Sequence, residues 1–332
     1  MSCLYVTEHG ASVGIHQNQV EVRYQDGSLK SIPIEPLESI ELFGRSQMTT
    51  QAIVEFLSRG IPVSFYAHGG KYFGRLVNTD VVNVSRQRLQ FVMTEDEGFC
   101  LALAKRILEA KIHNQCVLLR RYARSSEENV GAEIVILSRT ETRADRCESM
   151  EELIGCEGFA ARQYFQGLGK LVKEEFHFEK RSKRPPKDEF NALISFGYSL
   201  LFHEIHAKAE NRGLNAYLGF IHEDKEKHPA LISDLVEEWR AVIVDAAAMS
   251  LINGNEIQKE HFRKTENGVY LDKEGSKIFI NKMEQKMRRE MRYLDYADYS
   301  VTFRRALDMQ IMRLIKAMEK KDPELYHPVR TR

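Results

Sequence analysis

The five cysteines of this 332-residue chain, Cys3, Cys100, Cys116, Cys147 and Cys156, form no C-x-x-C pair. Neither a zinc ribbon nor a disulfide framework is therefore expected, and reduced thiols are. No apolar run is long enough to cross a bilayer: the longest, residues 241–252, is interrupted by Asp245. No charged-then-apolar leader precedes residues 4–6, so a cytoplasmic protein with no membrane partner is expected. Net charge is absent as well, because 48 Lys and Arg balance 48 Asp and Glu. Proteins that coat nucleic acid nonspecifically carry a basic excess instead. That balance still allows one basic face with the acidic surplus elsewhere. Internal repeats and low-complexity segments are missing too.

What is present is the composition of an ordinary globular protein, 43% hydrophobic and 29% charged, long enough for two cores. The first part alternates. Val20, Val22 and Tyr24 interleave with polar residues, and Asp26-Gly27 supplies a hairpin turn ahead of Leu29, Ile32 and Ile34. Further strands are expected at 39–43, 61–66 and 72–77, with one helix at 49–59. Helical periodicity then takes over. Thr94 and Glu97 are spaced as a capping box opening a helix to about residue 124. Its apolar stripe is Ile107, Ile112, Val117 and Leu118. Its polar side is Lys105, Arg106, Lys111, Arg120, Arg121 and Arg124, with Gln115 and Tyr122 interleaved, and that side reads as solvated or as a phosphate contact.

Segment 125–145 reads as one short helix and loops, and Ser149 with Glu152 caps the next helix. Pro185-Pro186 stops any helix, Asp188 caps 189–211, and Gly213 closes it. Another helix follows Pro229 to about 253. A hairpin is expected within 269–280, turning at Lys273-Glu274-Gly275, and a last helix spans 282–321 with a break near 295–299. The fold class is α+β: a small β-rich domain, residues 1–90, before a larger all-α domain, residues 91–332.

Three segments carry chemistry. Glu157 lies on the apolar stripe of its helix, with Leu153, Ala160, Ala161, Tyr164 and Leu168. A carboxylate facing a core needs a cation or donors. Gly155 and Gly158 flank it, as if a backbone or ligand came close. The plain alternative is a pair with a buried arginine. His222 follows the apolar run 218–221, and a structural or solvated histidine is its plain reading. Asp234, Glu237, Ala241 and Asp245 share one face of the helix after Pro229, opposite Leu231, Leu235, Trp239, Val242 and Ala246. That face alone reads as solvated acid. Taken together, two carboxylates and an imidazole suit Mn²⁺ or Mg²⁺. His203-Glu204-Ile205-His206 fails as a zinc-protease motif because its histidines are three apart, so it reads as a polar helix end.

These pieces resemble one family. Ile154-Gly155-Cys156-Glu157-Gly158 with Ala160-Ala161 and Tyr164-Phe165 is similar to the first metal motif of the CRISPR-associated integrase of spacer acquisition, Cas protein one. Arg181 to Pro186, with Asn191-Ala192-Leu193 and Phe196-Gly197-Tyr198, resembles its basic motif. Leu218-Gly219-Phe220-Ile221-His222 resembles the histidine motif. Asp234-Leu235-Val236-Glu237-Glu238 with Arg240 resembles the third, where Ala241 stands in place of a frequent proline. The resemblance implies that Glu157, His222 and Glu237 are catalytic metal ligands, with Asp234 beside them as an orienting neighbour or alternative ligand. It implies that Lys180, Arg181, Lys183 and Arg184 line a DNA path. It further implies a homodimer formed through the β-rich domain, and a small ferredoxin-like companion, Cas protein two. The implied reaction joins the 3′-hydroxyls of captured DNA to the CRISPR repeat. Two alternatives are a metal nuclease of branched or single-stranded DNA and a non-catalytic DNA-binding subunit.

Overall fold

The computed structural model describes residues 2–223, 225–292, 294 and 297–332. The alternating N-terminal segments become strands β1 (Ser2–Val6), β2 (Ser12–His16), β3 (Gln19–Arg23), β4 (Leu29–Pro33), β5 (Leu37–Phe43) and β6 (Gln47–Met48). Helix α1 (Thr50–Ser58) and strands β7 (Val63–Tyr66) and β8 (Tyr72–Leu76) follow. One sheet runs β1-β5-β7-β8 and a second β4-β3-β2-β6. In β2 and β3, Val13, Val20 and Val22 are buried while Glu21 and Arg23 are not, as period-two alternation requires. They pack with Ile40, Phe56 and Val63 into an N-terminal core. The turn at Asp26-Gly27 forms as expected, with Gly27 in the left-handed region that a residue without Cβ adopts freely.

Helices dominate thereafter: α2 (Val84–Thr94), α3 (Glu97–Ala123), α4 (Gly131–Asp145), α5 (Met150–Leu171), α6 (Glu189–Asn211), α7 (Ala230–Val236) and α8 (Ala246–Asn253). Hairpin β9 (Phe262–Thr265) and β10 (Gly268–Leu271) leads to α9 (Lys273–Arg288). The short pair β11 (Glu290–Met291) and β12 (Val301–Thr302) then precedes α10 (Phe303–Lys320). A β-rich N-terminal part followed by a mostly helical C-terminal part is thus the architecture. The C-terminal part is not all-α, because it carries these two antiparallel pairs.

Several local expectations shift, each for a visible reason. Thr94 does not open α3. It ends α2, and its hydroxyl donates to the Phe91 carbonyl at 2.8 Å, while the Asp96 carboxylate caps α3 by accepting from Phe99 N. Ser149 caps α5 by accepting from Glu152 N, but Glu152 reaches Glu148 N and so leaves the reciprocal box bond unmade. The segment 125–145 is mostly one 15-residue helix. The hairpin expected at Lys273-Glu274-Gly275 turns earlier, between β9 and β10, because Asp272 accepts from Gly275 N at 2.7 Å and starts α9 there. The single last helix is two, and the chain already leaves α9 at Arg289. Of the break expected near 295–299, Asp295 and Tyr296 lie outside the described residues.

The motif His203-Glu204-Ile205-His206 is no polar helix end. It lies inside α6 and fastens the two parts together: His203 stacks on Tyr72 of β8 with ring centroids 3.5 Å apart. Its neighbour Glu204 instead ties α6 to α10 within the helical part, accepting from Arg304 at 2.8 Å. The site described next lies on the helical side of this junction.

Candidate active site

No residue of helix α3 between 103 and 119 is exposed, although Lys105, Arg106, Glu109, His113 and Val117 are only half-buried. Its expected polar side therefore holds only near the ends. Arg120, Arg121 and Arg124 are exposed, whereas Gln115 and Lys111 are buried and unavailable as a solvated face. Lys111 is 7% exposed. Its ammonium contacts Glu157 of α5 and, at 2.5 Å, Oε2 of Glu237. The sequence signal was present but weak: Lys111 stands among Ile107, Leu108, Ala110, Ile112, Cys116, Leu118 and Leu119, a density of apolar residues that favours burial.

Glu157 stands at the edge of the α5 stripe. Leu153, Ala160, Tyr164 and Leu168 are fully buried, Ala161 partly, and Glu157 keeps some solvent contact. Its partner is this buried lysine, where an arginine was the plain alternative. Gly155 and Gly158 are not in close contact with protein: a Cβ on either would meet nothing within 4 Å.

The segment after Pro229 is not a solvated acidic face. Asp234, Glu237, Glu238 and Asp245 are all buried, as is the apolar face opposite. The helix also changes winding. α7 tightens into a 3₁₀ turn at Glu237–Trp239 and widens into a π-helix at Arg240–Asp245 before α8. Such π-turns recur where side chains must be re-aimed for function. Here Glu237 faces Lys111 and Arg240, with Arg240 at 3.1 Å. Glu238 instead faces Gln310, Tyr326 and the Val329 N–H. Burial works to raise the Glu237 carboxyl, but Arg240 and Lys111 outweigh it and hold its pKa at about 2. Asp245 accepts from Tyr164 at 2.7 Å and Tyr198 at 2.5 Å, and burial lifts it to about 6 against those bonds.

Asp234 organises the histidine loop. Its carboxylate accepts from the backbone N–H groups of Phe220 (2.6 Å), Ile221 (3.1 Å) and His222 (3.1 Å) and from His222 Nδ1 (2.7 Å). Gly219 lets this loop lie on α7, since a Cβ there would be 2.7 Å from that of Ala230. The His222 ring is 41% exposed, so it stands at the surface of the site. Its hydrogen bond to Asp234 raises its pKa against burial. With Nδ1 carrying the proton, Nε2 presents its lone pair outward.

The basic loop adjoins these groups. Lys180, Lys183 and Arg184 are exposed. Arg181 is not free: it donates to Asn191 Oδ1 at 2.8 Å and Ser195 Oγ at 3.0 Å and lies over the Tyr198 ring, which Arg240 also faces. Burial and then the charges of Arg240 and Arg181 lower the Lys183 pKa, with Glu237 opposing. Lys183 is thus within electrostatic reach of Glu237.

Two of the expected residues, Glu157 and Glu237, are joined through one ammonium, and His222 is joined to Asp234. Among the described residues no group of three or more His, Cys, Asp or Glu side chains forms a cluster that could hold a metal ion. Also among them, no helix is long and apolar enough to cross a membrane.

Known proteins share the sequence and the fold of this chain. The family model described as CRISPR associated protein Cas1 matches residues 4–285. A CRISPR-associated endonuclease Cas1 of Mycobacterium tuberculosis is 38% identical over 322 residues, 96% of this chain and 95% of its own length. A solved Cas1 protein from Thermotoga maritima shares the fold, with a TM-score of 0.81 at 24% identity, covering 96% of this chain and 97% of that one. A chain of a Cas6-RT-Cas1–Cas2 complex matches with a TM-score of 0.83 at 26% identity over 100% of this chain, which spans 36% of that longer chain. The chain belongs to the Cas1 family of CRISPR-associated endonucleases.

Proposed function

We propose that this chain is the integrase of CRISPR spacer acquisition, and that Glu157, His222 and Glu237 hold a divalent cation, Mn²⁺ or Mg²⁺. The observation that carries the cation reading is Lys111, which gathers Glu157 and Glu237 from α5 and the 3₁₀ turn around one positive charge. Three further features fit a cation. Glu237 Oε2 is buried and is already met by a cation, the Lys111 ammonium. Carboxylate oxygens with one imidazole are the donors that Mn²⁺ and Mg²⁺ accept. The imidazole of His222 is oriented through Nδ1 by a carboxylate, as ligating histidines are. Asp234, with four donors on its two oxygens, orients and does not ligate.

Glu157, His222 and Glu237 would hold the cation, which would supply Lewis-acid polarisation of the scissile phosphodiester. The side chains do the rest. Asp234 keeps His222 in one tautomer. Arg240 holds Glu237 ionised. Lys183 and Arg184, exposed beside the site, take DNA phosphates, while Arg181 braces the loop from behind. In the joining reaction the 3′-hydroxyl oxygen of the incoming strand bonds to phosphorus. The 3′-oxygen of the repeat strand leaves and takes up the proton. With water as the nucleophile the same groups cut DNA, the activity named in the relatives. We assign dimerisation to residues 1–90 and catalysis to residues 91–332, with a second copy and a small ferredoxin-like Cas2 as partners.

The test is incubation with duplex fragments and a supercoiled plasmid carrying a CRISPR array, with and without Cas2. Fragments ending in a 3′-hydroxyl should join covalently at the array edge, and fragments ending in a 3′-deoxy residue should not. Plasmid cleavage alone, equal for both kinds of fragment, would favour the nuclease over the integrase.

A further inference from the structure

Lys111 is a buried charge whose position implies more than support. It projects from the buried face of the middle of α3 into the space between two other elements. A buried ammonium carries a large desolvation cost and is retained only where anions meet it. Both of its anions belong to the proposed cation site. Without a cation between them, the carboxylates of Glu157 and Glu237 would repel each other in a low-dielectric interior. The positive charges of Lys111 and Arg240 offset the two negative charges of Glu157 and Glu237.

We infer that Lys111 is the built-in counter-cation of this site: a positioning residue that holds Glu157 and Glu237 at ligand spacing and competes with the divalent cation for their oxygens. The inference rests on the metal reading above. An ammonium in contact with both carboxylates and a divalent cation bound to the same oxygens exclude each other. The four-carbon stem of lysine allows the ammonium to withdraw without unfolding α3. Entry of the divalent cation then adds two positive charges while Lys111 and Arg240 keep theirs. The resulting positive excess is the charge that DNA phosphate offsets. The same lysine that assembles the ligands therefore weakens cation binding until an anionic substrate is present.

The experiment is a Mn²⁺ titration of the full chain without DNA, reading free Mn²⁺ by electron paramagnetic resonance. It covers wild type, Lys111→Met, Lys111→Gln, Lys111→Arg and His222→Ala, each checked for native circular dichroism. The two neutral variants should bind Mn²⁺ about tenfold more tightly than wild type, and Lys111→Arg should not. In chelator both neutral variants should melt below wild type, and Mn²⁺ should raise their Tm by more. A lysine with only a structural role would lower Tm without tightening Mn²⁺ binding. Lys111→Gln is the conservative choice should Lys111→Met not fold. Unchanged or weaker affinity in a folded neutral variant, with binding lost in His222→Ala, would overturn the competition while leaving the metal site standing. No Mn²⁺ binding by wild type or by any Lys111 variant would overturn the metal reading and this inference with it.

Discussion

Glu238 is the residue whose ionisation should be felt most by the whole fold. It is fully buried, and burial lifts its carboxyl to about 8 against hydrogen bonds from Tyr326, Val329 and Gln310. A carboxyl whose folded pKa lies above its unfolded value binds the proton more tightly when folded. Its contribution to stability is complete below the unfolded pKa and is lost as pH rises through the folded one. Glu238→Gln removes that titration while keeping the size and an amide able to turn toward Gln310 and Tyr326. The Tm of the variant minus that of wild type should grow steadily between about pH 5 and pH 8. A difference that stays flat across this range would mean that Glu238 is ionised in the fold. At this scale the sequence was legible in part. Glu157 stood out because it broke the apolar stripe of its helix, whereas His222 and Glu237 read singly as structural and solvated and were picked out by the resemblance of their motifs. Lys111 did not stand out, because a lysine on a long helix is usually solvated, and only the density of apolar residues around it spoke against that.

Among the elements, the segment following Pro229 was the least legible. Its spacing of Asp234, Glu237 and Asp245 describes one face of a regular helix, yet a 3₁₀ turn and a π-turn re-aim Glu237, Glu238 and Asp245 toward three different partner sets. Periodicity assumes one winding and cannot report a change in it. Caps were read better, though not everywhere: Ser149 and Asp188 accept the expected backbone N–H, while Thr94 closes α2 and does not open α3. The π-helix packs where α6 carries Gly197, and a Cβ there would lie 2.5 Å from Val244 Cγ1 and 2.8 Å from the Phe279 ring. Gly197→Ala should cost about 1–3 kcal/mol by overpacking, read as a lower Tm and urea midpoint. Unchanged stability would show that α6 and the π-helix can separate freely.

For the whole molecule, zero net charge and a DNA substrate are reconciled by where the cations stand. Many basic residues are spent on internal pairs, such as Arg304 with Glu204 and Glu284, and Arg212 with Asp308. On the loop beside the site, Lys180, Lys183 and Arg184 remain exposed. Replacing Lys183 and Arg184 together with Ala should weaken binding to DNA of any sequence and lower the salt slope by about two. Arg181→Ala should act through the fold of the loop instead, lowering Tm. An unchanged slope in the double variant would take the loop off the DNA path. The layout of strands then helices was readable from the change of period, whereas the junction through Tyr72 and His203 was not, because it joins residues 131 positions apart.

The account as a whole depends on Glu157, His222 and Glu237 acting as one site. The direct measurement is Mn²⁺-dependent joining of 3′-hydroxyl duplex fragments to a CRISPR plasmid by Glu157→Ala, His222→Ala and Glu237→Ala, with DNA affinity measured in parallel by fluorescence anisotropy. Each variant should lose joining to background while binding DNA about as tightly as wild type. Joining at the wild-type rate by any one of the three would contradict the site.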